Sequence, residues 1–385
     1  SGKDVASGDA STVIQTAIDA LPDGGEIALE PGAYTLDQTV RLRSNQALSG
    51  AGRGTRLYVH PGAGLLLEQT DGSVVQSLAV IARDGARNGI VMDSAGDSRL
   101  RNIFAAGFQD YGILLRNSCF LTDIQSCQAA GCGKANIKLD GMKRGRVGDF
   151  VPVSIQNCMI YGGGHGIECN ASTVVNITAC TVFESTGAGF YIHDNSNSVL
   201  INGCRTFQIT GNAVRAERTY ELNVSSNIFC WHTEHGIVVE DSTWGAITGN
   251  EVIDNGSYNT GKKDQTVTFA ELEKQGIHVP ACDGIQLLAV KGFSVSANTV
   301  FNWPQGTLMR YGIFEDSKCF SNTIVGNNVN YFRDAAVQSD GAETTAAGNE
   351  GHGAEPHHPQ TGSDFPNCQS FEIERIRRFI AEHFT

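Results

Sequence analysis

Apolar and polar positions alternate along most of this chain in short runs, and the runs return at a nearly fixed distance. One run in each return opens with a small residue followed by an aliphatic one. It reads "NGIVMD" from Asn88, "YGILLR" from Tyr111, "ANIKLD" from Ala135, "HGIECN" from His165 and "AGFYIH" from Ala188. It continues as "NAVRAE" from Asn212, "HGIVVE" from His235, "DGIQLL" from Asp283 and "YGIFED" from Tyr311. From Gly112 to Asn136, Gly166, Gly189, Ala213 and Gly236 the steps are 24, 30, 23, 24 and 23 residues. A second run, "VxIxxC" or "VxIxxN", follows in each period. Period-two alternation inside a repeat of this length means several short strands per repeat, which is the signature of a solenoid.

The second run accounts for most of the cysteines. Cys127, Cys158, Cys180, Cys204, Asn227, Asn250, Asn298, Asn327 and Asn349 fall at one position of successive repeats. Asn there can bond its own copy in the next coil, and Cys behaves as a small hydrophobe. A metal site would need His or carboxylate companions in the same column. The 11 cysteines are an odd number without CxxC spacing, so neither a disulfide framework nor a zinc cluster is expected.

The predicted fold is all-β, a right-handed parallel β-helix of about ten coils. Residues 11–21, "STVIQTAIDAL", read as an amphipathic helix with Ser11 as N-cap, placed to cover the first coil. Residues 1–350 are expected to form the β-helix with this cap, and 351–385 a polar linker with an amphipathic C-terminal helix at 370–384. That helix would dock on the solenoid or support a homo-oligomer. Two insertions break the period. Residues 141–152 carry Lys143, Arg144 and Arg146, and 254–281 carry a capping box from Thr268 to Glu271. Insertions on one face of a solenoid often frame its binding surface.

Gly is frequent at 45 residues, Pro sparse at 9, and charged residues make up 18%, a composition suited to tight turns between short strands. The net charge of −13 argues against nucleic acid or an anionic membrane as partner. No apolar run is long enough to span a membrane, and the stretch shows no signal peptide. Free cysteines favour a reducing interior, although buried ones can survive secretion.

In the first run the aliphatic positions point inward and the others outward. One outward column reads Val91, Leu114, Lys138, Glu168, Tyr191, Arg215, Val238, Gln286. The next reads Asp93, Arg116, Asp140, Asn170, His193, Glu217, Glu240, Leu288. With coils about 4.8 Å apart, Lys138, Asp140, Glu168, Asn170, Tyr191, His193, Arg215, Glu217 and Glu240 should share one patch. Its polarity fades toward Val91 and Leu288, which a merely wet face would not do. A long groove along stacked strands suits an extended polymer, so the expected partner is a polysaccharide or oligosaccharide.

"GFYIHDNSNSVLINGC" (Gly189 to Cys204) resembles the "YGFDPHE" coil of mannuronan C5-epimerase catalytic modules, within the pectin-lyase-like superfamily of β-helical carbohydrate enzymes. The resemblance places His193 on the family's catalytic His, Glu217 on a catalytic Asp one coil later, and His235 on the His of an "RHG" coil. "RYGIFEDSKCFSNTIVGNN" (Arg310 to Asn328) has a similar form. The chain departs at Ala188 and Tyr191, where the family has Tyr and Asp, and at Glu234, where it has Arg.

Three classes of function are open. A lyase or C5-epimerase needs a cation on the uronate carboxylate, a base and an acid. Arg215 or Lys138 would supply the first, His193 and Tyr191 the others, with Glu217 orienting His193; Asp140, Glu168, Asn170, His235 and Glu240 would hold substrate. A glycoside hydrolase or fructotransferase would use paired carboxylates, Glu217 with Glu240 or Asp140 with Glu168. A tail-spike-like protein would bind glycan without turnover. No cofactor is indicated; groove carboxylates could hold Ca²⁺. "GGGHG" (162–166) reads as a turn, "GAGRG" (50–54) lacks the setting of a phosphate loop, and His352, His357 and His358 read as a solvated tail.

Overall fold

The computed structural model describes residues 9–142, 152–256, 258–259, 266–267, 282–302 and 309–352. The chain folds as an all-β solenoid, a parallel β-helix. One face is a sheet of 12 strands among the described residues, one per coil, from Thr39–Leu42 to Ala335–Ser339. The expected number is about ten; the strands Thr39–Leu42, Gly64–Glu68 and Ala335–Ser339 extend the sheet beyond the nine repeats read from the sequence. The other faces merge into a sheet of 24 strands, because Val74–Ala82 and Arg99–Ala106 run round a corner and pair on both sides of it.

The inward column of the 12-stranded sheet is continuous in register through Ile90, Ile113, Ile137, Ile167, Phe190, Val214, Ile237, Ile285 and Ile313. All nine are fully buried. Each such side chain contributes roughly 1.5–3 kcal/mol of transfer free energy, and the column holds the coils in register.

The Cys/Asn column lies at a corner of the coils from Cys127 to Asn349; one coil earlier Ile103 holds the same register position. The residue before it, from Ser126, Asn157, Ala179 and Gly203 to Gly326 and Gly348, sits in the left-handed region at φ +52° to +65°. The sharp bend takes peptide N–H groups out of the ladder, and the Asn column receives them. Asn227, Asn250 and Asn298 each donate a backbone N–H and a side-chain N–H to the Oδ1 of the next Asn, at 2.9–3.1 Å. The second amide hydrogen goes to a strand carbonyl, such as Ile201 O from Asn227. Upstream, Cys180 N–H points at Cys204 Sγ at 3.4 Å, and the cysteines of this column are unbridged.

A helix spans Ser11–Asp19 and packs Ile14 and Ile18 into the core. Ser11 is not its cap: Asp9 Oδ1 accepts the Ser11 N–H at 2.8 Å, and the Ser11 hydroxyl accepts from Gln38 N–H. The basic stretch with Lys143, Arg144 and Arg146, the Thr268–Glu271 box, His357, His358 and the helix expected at 370–384 lie outside the described residues.

Candidate functional site

The outward columns stack in the expected register. Lys138 pairs with Glu168, Glu168 with Tyr191, and Tyr191 with Arg215; Asp140 pairs with Asn170, Asn170 with His193, and Glu217 with Glu240. The columns are not simply exposed, however. Lys138, Glu168, His193 and Glu217 are each at most 9% accessible. Long side chains from successive coils lie on one another and meet opposite charges, so "outward" here means packed against the next coil.

The contacts form a chain of alternating charge across five coils. Lys138 Nζ makes a short ion pair with Glu168 Oε1, and His193 Nε2 meets the same oxygen at 3.0 Å. His193 Nδ1 faces Asp194 Oδ2 at 2.8 Å, and Arg218 holds the other Asp194 oxygen. Arg218 also approaches Glu217 Oε2 at 3.6 Å. Arg215 Nε binds Glu217 Oε1 closely, and its terminal nitrogen stands 3.8 Å from Glu240 Oε2. Burial opposes the charge on Glu168, but the bonds from His193 and Lys138 outweigh it and hold the carboxyl below its ordinary range. Arg218 and His193 do the same for Asp194.

Tyr191 lies over this chain. Its ring stacks on His193 with centroids 4.2 Å apart and on His165 at 4.8 Å. Its hydroxyl donates to Glu217 Oε2 at 3.3 Å. Burial, then the Glu217 charge, push the phenol pKa up, so Tyr191 is protonated at neutral pH. Both half-exposed Tyr191 and Arg215 reach the open face.

Several expected pairings differ. Glu217 does not orient His193; Glu168, one coil earlier, and Asp194, next in sequence, do so. Glu217 is instead shared by Tyr191, Arg215 and Arg218. Arg215 stands between Glu217 and Glu240, so these carboxylates are a bridged pair rather than a free one. Asp140 accepts the Asn170 amide at 2.7 Å and has no contact with Glu168 among those found in the described residues. His235 belongs to another cluster: its Nδ1 accepts the Asp283 N–H at 2.9 Å, and fully buried Asp283 is held by Arg310. Among the described residues no three metal-ligating side chains converge.

Sequence reasoning missed His165, Asp194 and Arg218. "GGGHG" reads as a turn leading into the strand "HGIECN"; the strand His165–Asn170 is as expected, but the stacking of His165 on Tyr191 has no signal in the repeat. Asp194 and Arg218 sit at left-handed corner positions just past their strands, where period-two counting stops.

Comparison with known proteins fits this architecture. A family model described as "Right handed beta helix region" matches residues 111–279. No curated protein sequence matches the chain. Among solved structures it is similar to an A-module of a mannuronan C-5 epimerase of Azotobacter vinelandii, at TM-score 0.77 and 16% identity, covering 91% of this chain and 96% of that one. It is also similar to the surface adhesin PfbA of Streptococcus pneumoniae, at TM-score 0.65 and 14% identity, covering 86% and 88%. A tailspike protein of an E. coli bacteriophage, solved in complex with a hexasaccharide, matches at TM-score 0.53 and 11% identity, covering 89% and 77%. The chain is thus a right-handed parallel β-helix protein.

Proposed function

We propose that the chain acts on a uronate-containing polysaccharide laid along the 12-stranded face, by lyase or C5-epimerase chemistry. One observation carries the reading: a protonated phenol, Tyr191, is stacked on an imidazole, His193, of the same strand, beside a guanidinium, Arg215, on the adjacent strand. Removal of the proton at C5 of a uronate needs these three functions in reach of one sugar. The glycan-related names of structures sharing the fold, an epimerase module and a tailspike with its hexasaccharide, support the choice of substrate class.

Arg215 neutralises the substrate carboxylate, which makes C5–H acidic enough to leave. His193 accepts that proton. Glu168 takes the Nε2–H from the buried side, so Nδ1 is the accepting nitrogen, and it becomes free to act when the half-exposed Asp194 carboxylate, held on its other oxygen by Arg218, swings off it. Tyr191 delivers a proton, to C5 in epimerisation or to the leaving O4 in elimination. Glu217 holds the Tyr191 hydroxyl and Arg215 together; Lys138 offsets the Glu168 charge in the buried layer.

The hydrolase reading rests on Glu217 and Glu240 being in register. It is weaker, because Arg215 bridges the two carboxylates and Glu217 is already engaged by Tyr191, Arg215 and Arg218, so they do not face a glycosidic bond as a free pair. A panel of polysaccharides decides. Unsaturated uronate or inverted C5 supports the proposal, reducing ends without unsaturation support the hydrolase, and binding without product supports a glycan-binding protein.

A further inference from the structure

Next to Tyr191 a cleft of about 420 Å³ opens at the starts of four neighbouring strands. Tyr111, Lys134, His165, Glu168 and Thr186 line it, and its floor is bare backbone at Gly133, Gly164 and Gly187. A Cβ at Gly133 would stand 2.2 Å from the Gln109 carbonyl oxygen, and one at Gly164 only 2.1 Å from that of Lys134. Side chains cannot grow into this floor, so the hollow is built into the coil stacking.

The polar groups around it are not balanced. Asp110 is met by two cations, Arg87 at 2.7 Å and Lys134 at 3.1 Å. One carboxylate cannot offset both, so a positive charge is left over at the mouth, where the Lys134 side chain is 56% exposed. Glu168 adds no free negative charge, because Lys138 and His193 already hold it. His165 Nδ1 accepts the Ala188 N–H at 2.9 Å. In the neutral ring the proton therefore sits on Nε2, which meets no acceptor among the described residues. Burial lowers the pKa of this ring and keeps it neutral at pH 7. Tyr111 offers a half-exposed aromatic face with Lys134 5.7 Å from its centroid.

We infer that this cleft is a subsite for a second uronate, adjacent along the polymer to the one that reacts at Tyr191. Lys134 and the Nε2–H of His165 take its carboxylate, and its pyranose ring lies on Tyr111. The inference rests on the proposed substrate class but not on the proposed chemistry, since it concerns binding alone. Charge complementarity selects a uronate here over a neutral hexose, for which the surplus cation would have no partner.

The test is equilibrium binding of saturated oligouronates and of their methyl esters, which keep the shape and remove the charge. Wild type should bind the acids at least tenfold more tightly than the esters, with affinity falling as salt is added. Lys134→Gln and His165→Gln should each weaken acid binding about tenfold or more, the scale of one hydrogen bond to a charged group, and Lys134→Gln should flatten the salt dependence. Arg205→Gln, an exposed cation on another face, is the control and should change nothing. Thermal unfolding checks that each variant folds. Equal binding of acid and ester, or wild-type affinity in Lys134→Gln, overturns the subsite. The two proposals fail separately. Uronate binding that needs Lys134 and His165 but yields no product sinks the chemistry and leaves the subsite. Turnover with Lys134→Gln indistinguishable from wild type in binding and salt dependence does the reverse.

Discussion

Tyr191 and His193 make different demands at the scale of the single residue. Tyr191→Phe removes one hydroxyl and one 3.3 Å hydrogen bond but keeps the ring stack. Turnover should fall by roughly 10²–10⁴ while thermal stability changes by less than about 1 kcal/mol. His193 was expected to be a freely exposed outward residue whose loss would spare the fold; the structure buries it between two carboxylates. His193→Gln can keep a donor toward Glu168 but leaves Asp194 with Arg218 alone. It should therefore lose turnover on the same scale and also roughly 1–3 kcal/mol of stability, read as a lower denaturant midpoint. A variant as stable as wild type would contradict the packed network. The register of these residues could be read from the sequence, because period-two alternation and a constant repeat place every outward position. Their burial could not, because it depends on which rotamers opposite charges on successive coils adopt, and a list of outward positions says nothing of that.

At the scale of the element, the corner column and the buried histidine beside it set much of the stability. Asn250 accepts from both Asn227 N–H groups, so Asn250→Ala leaves two buried donors unsatisfied. It should cost roughly 2–3 kcal/mol. Asn250→Cys should cost less, since Cys204 already serves the Cys180 N–H in the same column. The Cys/Asn column was legible in the sequence because a buried corner admits few side chains and shows them at constant spacing. His232 was not, since one His in "CWHTEHG" has no periodic companion. Its ring is fully buried, with Nε2 2.9 Å from Thr206 Oγ1, and burial drives its pKa down to about 3. The unfolded chain takes up this proton near 6.5, the folded chain only near 3. Stability is therefore whole above that window and falls as pH drops through it, by up to about 1.4 kcal/mol per unit from this group. His232→Gln should flatten the acid limb of a stability–pH profile; an unchanged limb would show that other groups control acid unfolding.

For the whole molecule, the solenoid gives a straight, register-locked face on which chemistry can be spread over adjacent coils. The Lys138 to Glu240 chain uses that regularity, with each strand adding one or two members. The fold class was legible because the repeat is a property of the entire chain, whereas the catalytic identity of any one coil is a property of a few contacts. The protein's net charge of −13 makes an anionic polymer a demanding ligand, so attraction must come from local cations. Arg215→Ala should weaken uronate binding and turnover together and reduce the salt dependence of both, with stability little changed because the guanidinium is half exposed. Salt-independent binding of an uncharged glycan would instead fit the carboxylate mechanism.

The most direct measurement follows C5 itself. Uronate polymers are incubated with wild-type protein and with Tyr191→Phe in D₂O, and proton NMR records deuterium at C5, inverted C5 and unsaturated ends. Proton transfer at the Tyr191–His193 pair predicts one of these signals with wild type and its loss, by at least about a hundredfold in rate, with Tyr191→Phe. New reducing ends with C5 protons intact, or equal yields of inverted and unsaturated C5 from both proteins, would contradict it.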